Sequence, residues 1–538
     1  MPNLSTTFRR IFSDRRFTAA ILFVIILYAF EEWLFNSPQR NFFKILLVFR
    51  PQDEVLAAAI SGAVSFVYCF LFIWAALGSS HIFRLVYLIL FAVSSIVEYG
   101  FLRAVNRFMA MPDLQIASAT PLATWRGAGV LYFNWWFIVP VTGFALLLYT
   151  LGENRSLRYN LAIFTGFFLC STMLGLSHTF SKSTWSLGSS FSSFYQTIAQ
   201  FAVENLFPAE REALTFQQPD LPQKNIILVI DESIRGDHLS INGYERETTP
   251  VLEKLARLEG ILHNWGLAVA GATCSYPSNA LILTGVRPGR DAFIDTEKYP
   301  TVFQYAKAMG YVTHYMDIQT NSLWNGLTDE DIVYIDNWHK AIDFGENDSS
   351  DFRSADLIAK IVSSGTGNFI VLNKRGVHFL YEDTYPDDST VWAPIPSDYM
   401  REPELVKNPY DNGIRYNVNT FFERLLKNPS ILENTTILYT SDHGQTLFEN
   451  HVSWLHCNFT QQEATVPLII LGMNLPKVDT SFPASHENIL PTILDLMNIP
   501  PAQWAHPYAP SLFDATRDLY PDRFFLNGSL ERVDFPDP

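Results

Sequence analysis

Asp442 and His443 lie side by side in Ser441-Asp442-His443-Gly444, directly after the β-branched and apolar run 436–440. A carboxylate oxygen and an imidazole nitrogen at the C-terminal end of a buried strand occupy the edge on which open α/β sheets bind ligands. The arrangement recurs. The apolar run 225–230 opens into Asp231-Glu232-Ser233, and two carboxylates at the end of a buried strand are costly unless paired or bound to a metal. Run 368–372 leads to Gly376-Val377-His378, and His456 lies in a Trp- and Leu-flanked segment. Thr273, Cys274 and Ser275 precede a short helix-like stretch closed by Gly285. Hydroxyls there meet free N–H groups and the positive end of the helix dipole, which suits a phosphoryl group. Each piece alone has a plainer reading: a helix cap for Asp442, Thr273 or Ser275, a solvated ring for His443, a hydrogen-bonded structural histidine for His378 or His456. Together, carboxylates, imidazoles and one hydroxyl form a hard-to-borderline donor set that suits Zn²⁺. A metal so held deprotonates a coordinated alcohol and steadies charge on a phosphoryl oxygen, the chemistry of a covalent phospho-enzyme with a Thr or Ser nucleophile. His451 and His486 are read as structural.

A sheet must bring these loops together. Beside the strand-like runs at 225–230, 311–317, 368–372, 436–440 and 466–471, helix-like patterns cover 301–308, 410–426 and 488–497. Such alternation predicts a mostly parallel sheet sandwiched by helices, an α/β domain over residues 225–538.

The rest of the chain is of another kind. Five apolar segments, at about 17–34, 55–77, 82–102, 130–151 and 157–180, each approach the length that crosses a bilayer. Residues 1–180 are therefore expected to form a five-helix transmembrane domain. Arg9, Arg10, Arg15 and Arg16 before the first span argue for a cytoplasmic N-terminus, and five crossings then put the α/β domain outside the cytoplasm. Arg103, Arg107 and Arg126 fall in a loop this topology places outside, as interfacial anchors or as a basic lip for a lipid phosphate. Residues 181–224 read as a connector whose segment 196–206 is a linker helix or an interfacial one. Residues 1–207 carry 14 basic and 9 acidic side chains, the remainder 24 basic and 45 acidic. So acidic a domain lacks the electrostatic footprint of a nucleic-acid binder.

Of four cysteines, Cys69 and Cys170 lie in apolar stretches, so at most one bridge is available outside the membrane. Cys274 and Cys457 each follow a candidate site residue and could be near neighbours; two unpaired thiols are expected ahead of a bridge.

The motifs resemble those of the alkaline-phosphatase/sulfatase superfamily and, within it, the membrane-anchored phosphoethanolamine transferases that modify lipopolysaccharide. The resemblance rests on Asp231-Glu232-Ser233-Ile234-Arg235, on Asn242-Gly243-Tyr244-Glu245-Arg246-Glu247-Thr248-Thr249-Pro250, on Tyr410-Asp411-Asn412, on Ser441-Asp442-His443-Gly444 and on Leu447-x-Glu449-Asn450 before His456. It implies a five-helix membrane domain followed by a periplasmic sulfatase-like α/β/α domain, in the bacterial inner membrane. It also implies one zinc, with a second possible, held by Glu232, Thr273, Asp442 and His443. Thr273 would be the nucleophile, and His378 and His456 would bind phosphate, assist the leaving group or help hold a second metal. Phosphatidylethanolamine would be the donor and lipid A or another envelope glycan the acceptor. A phosphoglycerol transferase or a phosphate or sulfate ester hydrolase is the alternative on the same fold, and a binding protein that has lost its chemistry is the third class. Three departures stand out. The chain lacks the several disulfides common around the nucleophile, and Asp231 stands where transferases commonly have glycine. Ser275-x-Pro277-Ser278 through Leu283-Thr284-Gly285 looks like the sulfatase signature, with Asn279 in place of its arginine. Ser275 is therefore the competing nucleophile.

Overall fold

The computed structural model describes residues 15–35, 52–105, 108–109, 113–114, 135–152, 165, 190–206, 210–216 and 222–536, the last with short gaps at 289–291, 322, 324, 346–348, 400, 450–455, 517–521 and 529. The chain divides into two compact units, Met1–Pro208 and Ala209–Pro538.

In the first unit, α1 (Arg15–Phe35), α2 (Gln52–Leu77), α3 (His81–Val105), α4 (Trp135–Leu151) and α5 (Ser190–Leu206) are described. Phe23 and Leu27 of α1, Phe72 of α2 and Phe91 of α3 are buried, while Leu22, Ile25, Leu85 and Ile89 on the same helices are exposed. Helices apolar inside and outside belong to a core or to a lipid environment. Among the described residues one stretch, 81–102, is long and apolar enough to cross a membrane; the apolar stretches 65–77 and 136–151 are shorter. The expected span at 157–180, apart from residue 165, and the side chains of Arg103, Arg107 and Arg126 lie outside the described residues. Two of the buried charged groups of this unit serve helix ends. The Arg84 guanidinium donates to the carbonyls of Ala76, Ser79 and Tyr149, and Glu31 accepts from the Ser190 N–H and hydroxyl at the start of α5. Helix α5, read from sequence as connector, packs into this unit: Phe191 lies against Phe72, and the Tyr195 hydroxyl donates to the Leu90 carbonyl.

The second unit is built on a seven-stranded sheet of order β2-β7-β6-β1-β5-β3-β4. Its strands are β1 (Asn225–Asp231), β2 (Leu262–Val269), β3 (Val312–Asp317), β4 (Asn337–His339), β5 (Asn368–Asn373), β6 (Thr435–Ser441) and β7 (Thr465–Leu471). β1 pairs in parallel with β5 and β6, and β3 with β5 and β4; β7 runs antiparallel to β6 and β2. Every residue of β1, β6 and β7 is buried, as strands covered on both faces must be. Leu438 faces a core with Phe303 and Ile489, while the next residue, Tyr439, lies under Phe422 on the opposite face. The helices that matter below are α6 (Ser275–Thr284), α7 (Lys407–Ile414) and α8 (Thr420–Leu425).

The expected helix at 410–426 is in fact α7 and α8 joined by a π-helical segment, Arg415–Asn419. That detour turns the Asn417 carbonyl toward the Lys374 ammonium, 3.2 Å away. The edge strands β2 and β4 and a hairpin at Arg523–Leu526 and Arg532–Phe535 are not apparent in the sequence. β2 carries His263, Asn264 and Gly266, and its register slips between Asn264 and Leu267, so it lacks a clean apolar period.

Candidate metal centre

β1 and β6 are parallel neighbours that end level, Asp231 opposite Ser441, so the residues that follow, Glu232 and Asp442-His443, emerge together. Glu232, Asp442 and His443 are buried and offer ligand atoms within 4.8 Å of one another. His443 Nε2 lies 3.6 Å from Glu232 Oε1 and 3.5 Å from Asp442 Oδ2. The other ring nitrogen, Nδ1, donates to the Gly444 carbonyl at 2.6 Å, which leaves Nε2 with its lone pair toward the carboxylates. Asp442 Oδ1 accepts N–H groups from Ser233 and His443, whereas Oδ2 is buried without a hydrogen-bond partner among the described residues. Glu232 is held on both oxygens, by the Ser233 hydroxyl at 2.7 Å and the Gln319 amide at 3.0 Å.

The backbone here is bent to purpose. Ser233 adopts a left-handed conformation, φ 62°, that side chains other than glycine rarely take. Gly376, φ 54°, lies so close that a Cβ would come within 2.7 Å of the Asp231 carboxylate and the Glu232 backbone.

Burial and the neighbouring Glu232 charge push the Asp442 carboxyl well above the ordinary carboxylate range. Burial keeps the His443 imidazole below its ordinary value despite Glu232, so it is neutral and fit to ligate. Two buried carboxylates, one neutral imidazole and an orphan carboxylate oxygen fit a divalent cation, and the mixed oxygen and nitrogen set fits zinc.

The two hydroxyl candidates separate. Ser275, the first residue of α6, places Oγ 3.1 Å from His443 Nε2 and 3.3 Å from Glu232 Oε2. The Thr273 hydroxyl donates instead to the Asn458 carbonyl at 2.9 Å, so of the two hydroxyls it is Ser275 that hydrogen-bonds to the Glu232–His443 pair. The reason is local: the chain is still extended at Cys274 and becomes helical at Ser275, which puts the latter at the helix N-terminus. The expectation of two unpaired thiols is also overturned. Cys274 and Cys457 are joined in a disulfide, their Cα atoms 4.7 Å apart, because the Cys457 N–H bonds to the Thr273 carbonyl.

The remaining histidines sort by position. The His456 ring lies 4.4 Å from that of His443, and the exposed His378 ring 6.0 Å from that of His456. His456 Nδ1 is 3.1 Å from Gln445 Oε1. His486 is buried under α6, pushed down to about 3 by burial, and accepts the Gly271 N–H. His451 lies outside the described residues.

Around these groups is a support that sequence reading placed among motifs without a role. Asp411 accepts hydrogen bonds from Tyr244 and Arg246 and pairs with His238, all within 2.8 Å. The Tyr410 hydroxyl donates to the Ser233 carbonyl and accepts the Arg235 N–H. Arg235 pairs with Asp237 and Glu449. The segment 242–250 and the Tyr410-Asp411 pair thus clamp the loop that carries Glu232. Asp231 is not among the clustered ligands: its carboxylate is paired with the buried Lys374 at 2.6 Å and accepts from the Tyr439 hydroxyl. Gln319 had no sequence signal, being one amide in a polar loop.

A family model described as Sulfatase matches residues 224–499. The chain is 24% identical over 324 residues to the phosphatidylethanolamine transferase Mcr-1 of Escherichia coli, with 54% of this chain and 56% of that protein covered. It is 26% identical over 278 residues to the Kdo(2)-lipid A phosphoethanolamine 7''-transferase of Escherichia coli K12, with 49% of this chain and 45% of that protein covered. The chain thus spans about half the length of these curated relatives. Its fold is similar to that of the integral membrane lipooligosaccharide phosphoethanolamine transferase A from Neisseria meningitidis, with a TM-score of 0.58, 16% identity, and 89% of this chain and 95% of that one covered.

Proposed function

The chain belongs to the sulfatase family, and from that premise we propose that it moves phosphoethanolamine from phosphatidylethanolamine to lipid A or a core sugar of lipopolysaccharide, through a phosphoserine-type intermediate on Ser275. The first unit would hold it in the inner membrane through several crossings, with the catalytic unit in the periplasm. The observation that carries the reading is the Ser275 hydroxyl set against Glu232 and His443, beside the orphan Asp442 oxygen. The relatives support the choice of group transferred, since they are phosphoethanolamine transferases.

Glu232, Asp442 and His443 would hold one zinc, which supplies Lewis acidity to the attacking alcohol and the phosphoryl oxygen. Ser275 Oγ, its proton directed at Glu232 Oε2, attacks phosphorus and forms the new O–P bond. The glycerol oxygen departs with the bond's electron pair, and His456 or His378 supplies the proton that completes diacylglycerol. An acceptor hydroxyl then attacks the same phosphorus and gives its proton to the histidine, while the Ser275 Oγ–P bond breaks with its electron pair on Oγ, which takes back the proton held by Glu232. Ser275 is the first residue of α6, whose positive dipole end suits a phosphoryl charge.

Ser275→Ala is expected to abolish transfer, and mass spectrometry of the enzyme incubated with donor alone should place one phosphoethanolamine on Ser275. An adduct on Thr273, or full activity in the alanine variant, would falsify the assignment. Release of diacylglycerol from phosphatidylethanolamine separates a transferase from a sulfatase-type hydrolase, which leaves that lipid untouched.

A further inference from the structure

The covalent bridge joins two residues that each adjoin a proposed reacting group. Cys274 is bonded through the backbone to Ser275, and Cys457 to His456. Between these loops run two further ties: the Cys457 N–H to the Thr273 carbonyl at 2.8 Å, and the Thr273 hydroxyl to the Asn458 carbonyl at 2.9 Å. The far side of the second loop is pinned by the buried Glu463, whose carboxylate accepts from the Asn458 N–H and side-chain amide and from the Thr460 N–H and hydroxyl, all at 2.9 to 3.0 Å. The loop from His456 to Thr460 contains no regular secondary structure, so these ties, together with the Gln445 contact on the ring, set where its histidine stands.

Resting on the function proposed above, we infer that Cys274, Cys457 and Thr273 form a strap that positions Ser275 and His456 as one reacting unit, so that transfer requires the oxidised bridge. The three ligands stand outside the strap, on the ends of β1 and β6. Opening the bridge therefore leaves the metal in place and lets the proton donor drift from the nucleophile. Displacement of a catalytic group by about 1 Å costs about a hundredfold in rate. The redox step is simple. A phosphine takes the bridge to two thiols, gaining the oxygen of one water while that water's two hydrogens go to the sulfurs. Thiol–disulfide exchange with a small disulfide restores it, leaving two molecules of the small thiol.

The test uses the full chain in detergent with phosphatidylethanolamine as donor. Treatment with a water-soluble phosphine, which binds zinc weakly, should lower kcat about a hundredfold with KM and bound zinc unchanged, and glutathione disulfide should restore it. The double variant Cys274→Ala/Cys457→Ala should behave as the reduced enzyme and ignore both reagents. Thr273→Val should lose several-fold in kcat with the bridge intact, and Thr273→Ser should recover it. Unchanged kcat in the phosphine-reduced protein overturns the strap. So does zinc lost in step with activity, since the bridge would then merely hold the fold; the reversible reduction decides this even if the double variant does not fold. An oxidised protein that moves no phosphoethanolamine overturns the proposed function instead, which keeps the two failures apart.

Discussion

Two carboxylates at the ends of adjacent strands meet opposite fates in this protein. Asp231 closes β1 and Asp442 follows β6, and both are buried. Asp231 is neutralised within the fold: the Lys374 ammonium lies 2.6 Å away, held in turn by the Asn417 carbonyl and the face of Phe421. Among the described residues Asp442 has no lysine or arginine paired with it. It shares its pocket with Glu232 and a neutral imidazole and turns an oxygen to no partner. Burying an ion is tolerable only when its charge is answered. Where the chain answers it the residue is structural; where the chain leaves it open, an ion from outside is called for. The contrast also explains why Asp231, acidic where transferases commonly have glycine, need not be a ligand. A third carboxyl, Glu463, is answered by dipoles alone and is pushed up to about 7 by burial.

Neutralising the open side has the largest effect. Asp442→Asn should lose bound zinc and about a thousandfold or more in activity, while Asp231→Asn should keep its zinc. Metal analysis of the two purified variants checks both, and loss of zinc from the Asp231 variant would sink the distinction. Next in size is the closed side. Lys374→Met strands a buried carboxylate and should cost about 3–5 kcal/mol, read as a lowered unfolding midpoint with zinc retained. Adding Asp231→Asn should return much of that loss.

The Glu463 carboxyl makes stability depend on pH. Its folded value lies above the ordinary 4.5, so the folded state holds a proton the unfolded chain has released. Its contribution to stability is therefore full below about 4.5 and is lost as pH rises to about 7, a fall of up to about 3 kcal/mol. Glu463→Gln should flatten that part of the unfolding profile. The smallest effect belongs to Gly376→Ala, which places a methyl against Asp231 and Glu232 and should cost about 1–3 kcal/mol. Thermal unfolding across the variants measures it.

Much of this was legible in the chain itself. β1 and β5 announce themselves as apolar runs and β6 as a β-branched and apolar one, and the acids and imidazole after β1 and β6 mark Glu232, Asp442 and His443 as candidates before any contact is known. The Asp411 clamp was visible only as a motif, because its partners Tyr244 and Arg246 stand more than 160 residues away. The same distance hid the partner of Asp231, which is 143 residues on.

What the amino-acid order determined by itself was the strands, the helices between them and the donor types at their ends, since local period and the cost of buried charge need only neighbouring residues. What the tertiary structure alone decided was which of two nearby hydroxyls meets Glu232 and His443, which cysteines meet, and which acid is already paired. Those depend on where an extended strap turns into a helix at Ser275 and on loops brought together from 183 residues apart, directions that no spacing along the chain encodes.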